Sequence, residues 1–127
     1  MMNCGDFQLL TERIFGAFFN KHGFKRLGTP IYQGEDRKAG GPLCVWFYES
    51  SECRLKFYHG DGEVNMLVGL RSAPLNGIGQ RDGWRYIRSF FPPHPWKWET
   101  KSDEQMLGEL LSLLEPNYSL VLQGSAE

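Results

Sequence analysis

Three arginines and two tryptophans have the residue types and spacing that best suit recognition chemistry. Arg81, Arg85 and Arg88 recur at intervals of four and three, which places residues on one face of a helix. Neighbouring guanidinium groups can hold a carboxylate or phosphate bidentately, or meet an acidic protein. Trp96 and Trp98 follow in a proline-rich segment, and both Trp and Arg are enriched at binding hot spots. These five residues form the predicted partner-binding surface, and a solvated helix face paired with local acids is the alternative.

A second set of polar residues alternates along two predicted strands and should therefore share one face of a sheet. Its members are Arg54, Lys56, Tyr58, Glu63 and Asn65. Such a mixture of cations and hydrogen-bonding groups suits a small anionic ligand. These residues are the alternative ligand-binding site, which would make the protein a sensor or an enzyme. A pocket of ordinary ligand size at this face would favour that alternative.

The cysteines and histidines do not assemble a predicted catalytic set. Cys53 and His59 lie six residues apart, but the predicted strand pairing points Cys53 into the core, where a thiol is inert. With Cys4 and Cys44, the chain has three cysteines, none in a C-x-x-C pair, and we expect all three to be reduced in a cytosol. Cys4 is expected to be exposed and the other two buried. We predict no catalytic residue, no metal and no cofactor.

Length and composition describe a folded globular protein. The chain has 127 residues, of which 41% are hydrophobic and 23% charged, and we predict a single domain over residues 1–127. Its formal net charge of −1 provides no general field for nucleic acid or an anionic membrane. No apolar run reaches the length of a membrane span. We therefore expect a cytoplasmic protein with a protein partner, no membrane and no nucleic acid, and a homo-oligomer is left open.

Hydrophobic periodicity predicts helices at both ends of the chain with strands between them. Apolar residues recur at helical spacing from Asp6 to His22, followed by a glycine that can end the helix. An irregular strand is predicted over residues 24–33 and three regular strands over 43–49, 53–58 and 63–69. Asp82 begins a predicted short helix that carries the arginines. Ser102 and Gln105 form a capping box before a C-terminal helix that ends near Pro116.

The turns between the strands predict how the sheet is paired. Turns at Ser50–Ser51 and Gly60–Asp61 would place Leu55 between Trp46 and Met66. On this pairing one face of the sheet is continuously apolar and receives the Phe-rich stripe of the first helix. The other face is mixed, and it is expected to be wet or partly covered.

Several stretches together carry a resemblance to a known group of proteins. These are the helix ending His22–Gly23–Phe24, the hairpin Cys-Arg-Leu-Lys-Phe-Tyr-His-Gly-Asp-Gly-Glu-Val-Asn-Met-Leu-Val-Gly over 53–69, Gly-Trp-Arg-Tyr-Ile over 83–87 and the Leu-rich last helix. In element order, over about three quarters of the chain, it resembles small single-domain bacterial proteins. Uncharacterised families and immunity proteins of polymorphic toxin systems are among them. The resemblance implies a cytosolic binding protein without catalytic residues, and it transfers no site residue.

The predicted fold class is α+β. An N-terminal helix packs on an antiparallel meander of about four strands, and a short helix and a C-terminal helix complete the domain. The predicted function is non-catalytic binding of a protein partner, as an immunity or adaptor protein. Binding of a small anionic ligand by a sensor or enzyme is the alternative.

Overall fold

The described part of the chain, residues 2–76, 82–91 and 101–125 of a computed structural model, packs helices on one face of an antiparallel sheet. This confirms the α+β class, although these residues contain six strands rather than about four. In chain order the elements are α1 (Cys4–His22), β1 (Lys25–Arg26), β2 (Ile31–Glu35), β3 (Pro42–Glu49), β4 (Arg54–Gly60), β5 (Glu63–Gly69), β6 (Trp84–Tyr86), α2 (Asp103–Leu114) and α3 (Tyr118–Ser125).

Helix α1 begins and ends where local side-chain chemistry requires. The side chain of Asn3 accepts a hydrogen bond from the backbone of Asp6 at 2.8 Å, and Asp6 accepts one from the backbone of Asn3 at 3.0 Å. This reciprocal pair satisfies backbone donors that the first turn leaves unpaired. Gly23 ends the helix in the left-handed region, with φ of 73°. The predicted end at His22 is confirmed, and Asn3 is the residue that caps the start of the helix.

The strand order is β1-β3-β4-β5-β6, with β2 pairing further along the same edge of β3. The irregular first strand predicted over residues 24–33 is thus two short strands on one edge. Gly28, with φ of 77°, lies in the gap between them, and Pro30, which has no N–H, follows it. The register of β2 against β3 shifts between Tyr32 and Glu35. This edge is consequently broken and mostly exposed.

Both central hairpins are paired two residues away from the predicted register. Trp46 lies opposite Phe57, and Tyr48 lies opposite Leu55. Across the next pair, Phe57 lies opposite Met66. Phe57, not Leu55, is therefore the residue between Trp46 and Met66, and the predicted pairing is wrong.

The turns explain the shift. The first hairpin closes with a four-residue loop in which the backbone N–H of Ser50 donates to the carbonyl of Cys53 at 3.0 Å. The second turns at Asp61 and Gly62, with φ values of 54° and 75°. Two positive φ angles in succession are what a two-residue hairpin turn matched to strand twist requires. Because the shift is an even number of residues, the predicted apolar face is unchanged.

Aromatic rings dominate the core between the helices and the sheet. Phe15 of α1 meets Phe57 edge-on with ring centroids 5.1 Å apart, and Trp46 stacks on Phe57 at 5.9 Å. The predicted contact between the Phe-rich stripe and the sheet is confirmed. Side chains with no exposed surface include Phe15, Trp46, Leu55, Phe57, Val64, Met66 and Val68.

One polar chain crosses this core. The indole N–H of Trp46 donates to the hydroxyl of Thr11 at 2.9 Å, and that hydroxyl donates to the carbonyl of Phe7 at 2.7 Å. All three residues are buried. The threonine therefore satisfies the only polar atom that the tryptophan side chain brings into the core.

The opposite face of the sheet is partly covered. Val45, Phe47 and Leu67 are buried there with Ala73, from the segment after β5, and with Trp84 of β6. The indole N–H of Trp84 donates to the carbonyl of Pro74 at 2.7 Å, which ties the segment to the sheet.

The segment predicted as a short helix bearing arginines has another structure. Trp84–Tyr86 is the strand β6, and a single 3-10 turn over Ile87–Phe90 follows it. The helix prediction is therefore wrong over these residues. The C-terminal helix is confirmed with its Ser102 and Gln105 capping box, and after Pro116 the chain continues as α3.

Two cysteines are covalently joined, contrary to the prediction that all three are reduced. Cys4, the first residue of α1, forms a disulfide with Cys44 of β3, and Cys4 is partly buried rather than exposed. The prediction rested on the number and spacing of the cysteines and on an expected reducing cytosol, whereas the bond forms because α1 packs on β3, 40 residues away along the chain. Cys53 is free and buried, as predicted.

None of the helices in residues 2–76, 82–91 and 101–125 has the length and apolarity that crossing a bilayer requires.

Candidate functional site

A groove of about 630 Å³ lies between α1 and the broken edge of the sheet. Its volume falls within the range of ordinary ligand sites. Phe19 of α1, Phe24 and Tyr48 of β3 line its floor, and all three are buried. The aromatic floor suits an apolar group.

The local sequence explains why there is space for the groove. Gly16 lines it from α1, and no heavy atom lies within 4 Å of the position that a Cβ would take there. The left-handed Gly23 then reverses the chain, so that Phe24 packs against Phe19 with ring centroids 5.7 Å apart. Gly16 therefore has no side chain at a position where the neighbouring turns of α1 carry large ones, and the space left there forms the groove.

An ordered ion pair forms the polar side of the groove. The guanidinium of Arg26 donates two hydrogen bonds of 2.7 Å to the carboxylate of Glu12, and the hydroxyl of Tyr48 donates a third at 2.9 Å. Burial acts to raise the pKa of Glu12, but the hydrogen bonds from Arg26 and Tyr48 outweigh it and lower the pKa. Burial first, and then Glu12, raises the pKa of the Tyr48 phenol. The carboxylate stays charged and the phenol stays protonated.

The rim of the groove offers hydrogen-bond donors to a ligand. Lys25 of β1 and Asn20 of α1 are both exposed and both line the groove. Because Arg26 neutralises Glu12, Lys25 contributes the remaining charge of the lining residues. An apolar group on the floor with an acidic group beside it would complement this arrangement.

Two of the five predicted partner-binding residues lie in the described part of the chain, and both interact within it. Arg85 donates to the carbonyl of Gly124 at 3.1 Å and lies 4.1 Å from the centre of the Phe90 ring. Arg88 donates to Glu63 at 3.2 Å, with 18% of its side chain exposed. Arg81, Trp96 and Trp98 lie outside the described residues.

The alternative ligand-binding residues share one face of the sheet, as the alternation of β4 and β5 predicts, and each contacts other residues of the chain. Arg54 donates to Glu49 at 2.6 Å, and Tyr58 donates to Asp61 at 2.9 Å. The ammonium of Lys56 lies 5.9 Å and 5.7 Å from the rings of Phe47 and Trp84. Burial lowers the pKa of Lys56, and Asp82 opposes that effect. The side chain of Asn65 donates to Glu63 at 3.4 Å and accepts a hydrogen bond from Met66.

Glu49 provides a test of electrostatics on this face. Hydrogen bonds from Arg54 and Arg71, at 2.6 Å and 3.0 Å, lower the pKa of Glu49 below its ordinary value of 4.5. A carboxyl whose pKa is lower in the folded state stabilises that state above its unfolded pKa, and the contribution is lost as pH falls through the folded pKa. Glu49→Gln should therefore lower the melting temperature at neutral pH, and the difference from wild type should vanish in acid.

Thermal melts from pH 7 to pH 3 measure this difference. Glu104→Gln is the control, because Glu104 pairs with Arg13 while both side chains are more than 60% exposed, and such pairs contribute about 0 to 1 kcal/mol. A Glu49→Gln deficit of the same size at pH 3 as at pH 7 would contradict the assignment.

The cysteine and histidine nearest in sequence do not form a nucleophile and base. Cys53 is buried, and burial raises the pKa of its thiol to about 11, which suppresses the reactive thiolate. His59 contacts Pro42, Phe7 and Asp103 instead. Within residues 2–76, 82–91 and 101–125, no three His, Cys, Asp or Glu side chains converge as metal ligands would.

Sequence reasoning missed the groove, and its one available signal was Gly16 inside a helix otherwise lined with phenylalanines. A helical glycine costs about 1 kcal/mol relative to alanine, so it calls for an explanation. Comparison with known proteins adds no assignment to the groove or to the resemblance described above. No protein-family model, curated protein or solved structure matches the chain.

Proposed function

We propose that this chain is a non-catalytic protein-binding module that takes an extended segment of its partner along the edge formed by β1 and β2. The observation that carries the proposal is the aromatic-floored groove at this edge. An open groove of this size beside a strand edge suits a large side chain of a bound polypeptide together with the residues next to it. The role of an immunity or adaptor protein, taken from the resemblance, is part of the same proposal.

Two further features support a polypeptide as the occupant. Ile31 and Tyr32 of β2 are 46% and 58% exposed on the same edge, which is a large apolar exposure for a five-residue strand. Edge strands also leave backbone N–H and C=O groups unpaired, and an added strand pairs with them. Lys25 on the rim favours an acidic residue beside the apolar one. The proposed ligand is therefore an extended segment with a large apolar residue next to Asp or Glu.

The predicted surface of Arg81, Arg85, Arg88, Trp96 and Trp98 is a weaker candidate for this role. Arg85 and Arg88 already contact Gly124, Phe90 and Glu63 within the chain. Moving them onto a partner would break those contacts first. The edge groove needs no such rearrangement.

The test fills the groove without disturbing the fold. Gly16→Leu places a side chain in the open space at Gly16, and replacing a helical glycine should hold or raise the melting temperature. Peptides selected for binding to the wild type from a random displayed library should carry a large apolar residue beside an acidic one. Their affinity should fall at least tenfold for Gly16→Leu and should weaken for Lys25→Glu.

Gly108→Leu is the matched control, because Gly108 is also helical and also has no atom within 4 Å of a Cβ position. It lines a separate cavity of about 290 Å³ on α2, so the same substitution is made away from the groove. Unchanged binding by Gly16→Leu would overturn the proposal. A different result would replace the protein-binding proposal with the anionic-ligand function. In that result no peptide is selected, and small carboxylates raise the melting temperature of the wild type but not that of Gly16→Leu.

We also propose that the protein is cytoplasmic, on the basis of the resemblance and of the sequence. Disulfides are rare in the cytosol, and those found there are mostly transient and redox-active. The bond between Cys4 and Cys44 is therefore compatible with a cytoplasmic protein if it is reversible.

A further inference from the structure

The two halves of the Cys4–Cys44 disulfide lie in different environments. Cys4 is the first residue of α1 and is partly exposed, whereas Cys44, on β3, has no exposed surface. Of the two residues, Cys4 is therefore the one that an external thiol in solution can approach.

His59 lies beside the buried sulfur. It is the direct cross-strand neighbour of Cys44, and such neighbours have Cβ atoms about 4.5 to 5.5 Å apart on the same face. Its Nδ1 donates to the carbonyl of Pro42 at 2.6 Å, because a carbonyl oxygen can only accept. Its ring stacks on Phe7 with centroids 4.1 Å apart. These contacts hold the imidazole in place, with Nε2 3.8 Å from a carboxylate oxygen of Asp103.

We propose that Cys4–Cys44 is a thiol–disulfide exchange site that accepts a low-molecular-weight thiol at Cys4 and releases Cys44. The incoming thiolate bonds to Sγ of Cys4, the bond between the two cysteine sulfurs breaks, and its electron pair stays on Sγ of Cys44. That sulfur takes up one proton. A second thiol then displaces the first from Cys4, so the protein gains two thiols while two thiol molecules become one disulfide.

Exchange would act on the first turn of α1. The disulfide holds the start of this helix against β3, and Phe7, one turn later, packs on both His59 and Trp46. After the bond opens, this turn is still held by its packing and by the Asn3 cap. The site thereby lets the thiol balance of the compartment adjust the stability of one end of the helix.

The direction of exchange is the first test. The oxidised native protein is incubated with reduced glutathione, quenched in acid, alkylated in denaturant and mapped by peptide mass spectrometry. We expect the glutathione adduct on Cys4 and the alkyl group on Cys44. Adducts on Cys44, or exchange no faster than global unfolding measured in parallel, would overturn the proposal.

Paired variants repeat the test without relying on the intact bond. In Cys44→Ala, the remaining Cys4 should take up glutathione from oxidised glutathione. In Cys4→Ala, the buried Cys44 should react at least tenfold more slowly, and equal rates would contradict the asymmetry.

Discussion

Leu55→Asp is expected to unfold the protein. Leu55 is the second residue of β4, lies opposite Tyr48 and Val68, and has no exposed surface. An aspartate there would be an unpaired charge in an apolar core, which costs several kcal/mol even after relaxation. Domains of this size have a total stability of about 5 to 15 kcal/mol. Circular dichroism and thermal melting should show that the cooperative transition is lost or strongly lowered.

The same substitution at an exposed leucine provides the control. Leu9 of α1 is 59% exposed, so Leu9→Asp should shift the melting temperature only slightly. Cooperative melting of Leu55→Asp near the wild-type temperature would show that β4 does not present this residue to the core.

Thr11→Val is expected to be the next most damaging of these changes. Valine matches threonine in shape but cannot accept the hydrogen bond from the indole N–H of Trp46. A buried donor left without an acceptor costs about 1 to 3 kcal/mol, although the packing volume is unchanged. Equilibrium unfolding in urea should show a lower midpoint with the same slope.

Thr11→Ser separates the hydroxyl from the methyl group. Serine keeps the acceptor for Trp46 and the donor for Phe7, and it loses one methyl group, which costs about 1 kcal/mol. Thr11→Val should therefore be at least as destabilising as Thr11→Ser. A valine variant as stable as wild type would mean that Trp46 finds another acceptor.

Features that short sequence windows determine were the predictable part of the fold. Asn3 with Asp6, and Ser102 with Gln105, cap their helices through residues three positions apart. The apolar face of the sheet was also predictable, because alternation survives a shift of two residues. The hydrogen bonds between residues three positions apart and the alternation of side chains along a strand were sufficient to predict these features.

The register of the second hairpin was not predictable because Gly60-Asp61-Gly62 contains two possible turns. A Cβ at Gly60 would lie 2.5 Å from the hydroxyl of Tyr58, so this glycine is needed for packing and not for the turn. Of the two glycines, Gly62 is the one with a positive φ. Which of the two glycines forms the turn therefore depends on where the Tyr58 side chain lies in the folded sheet.

Long-range contacts explain the other differences. Strand β6 forms because Trp84 packs over Gly69, where a Cβ would lie 2.7 Å from the indole ring. The spacing of the arginines is typical of a helix, but the packing of Trp84 over Gly69 holds this part of the chain in a strand instead. The groove depends on Gly16, Phe24 and Tyr48, which come together only after α1 meets the sheet. No short stretch of the sequence indicates this contact between α1 and the sheet.

The gap between β1 and β2 has a consequence for aggregation. A long, regular edge strand can recruit other chains into a growing sheet, and bulges and breaks oppose this. Here the edge presents two and then five residues, with a register shift inside the second piece. A copy of the protein that met this edge with a straight strand would find few backbone groups in line. The interruption therefore opposes edge-to-edge pairing of copies at β1 and β2, whereas a partner segment with a matching bend can still pair with this edge.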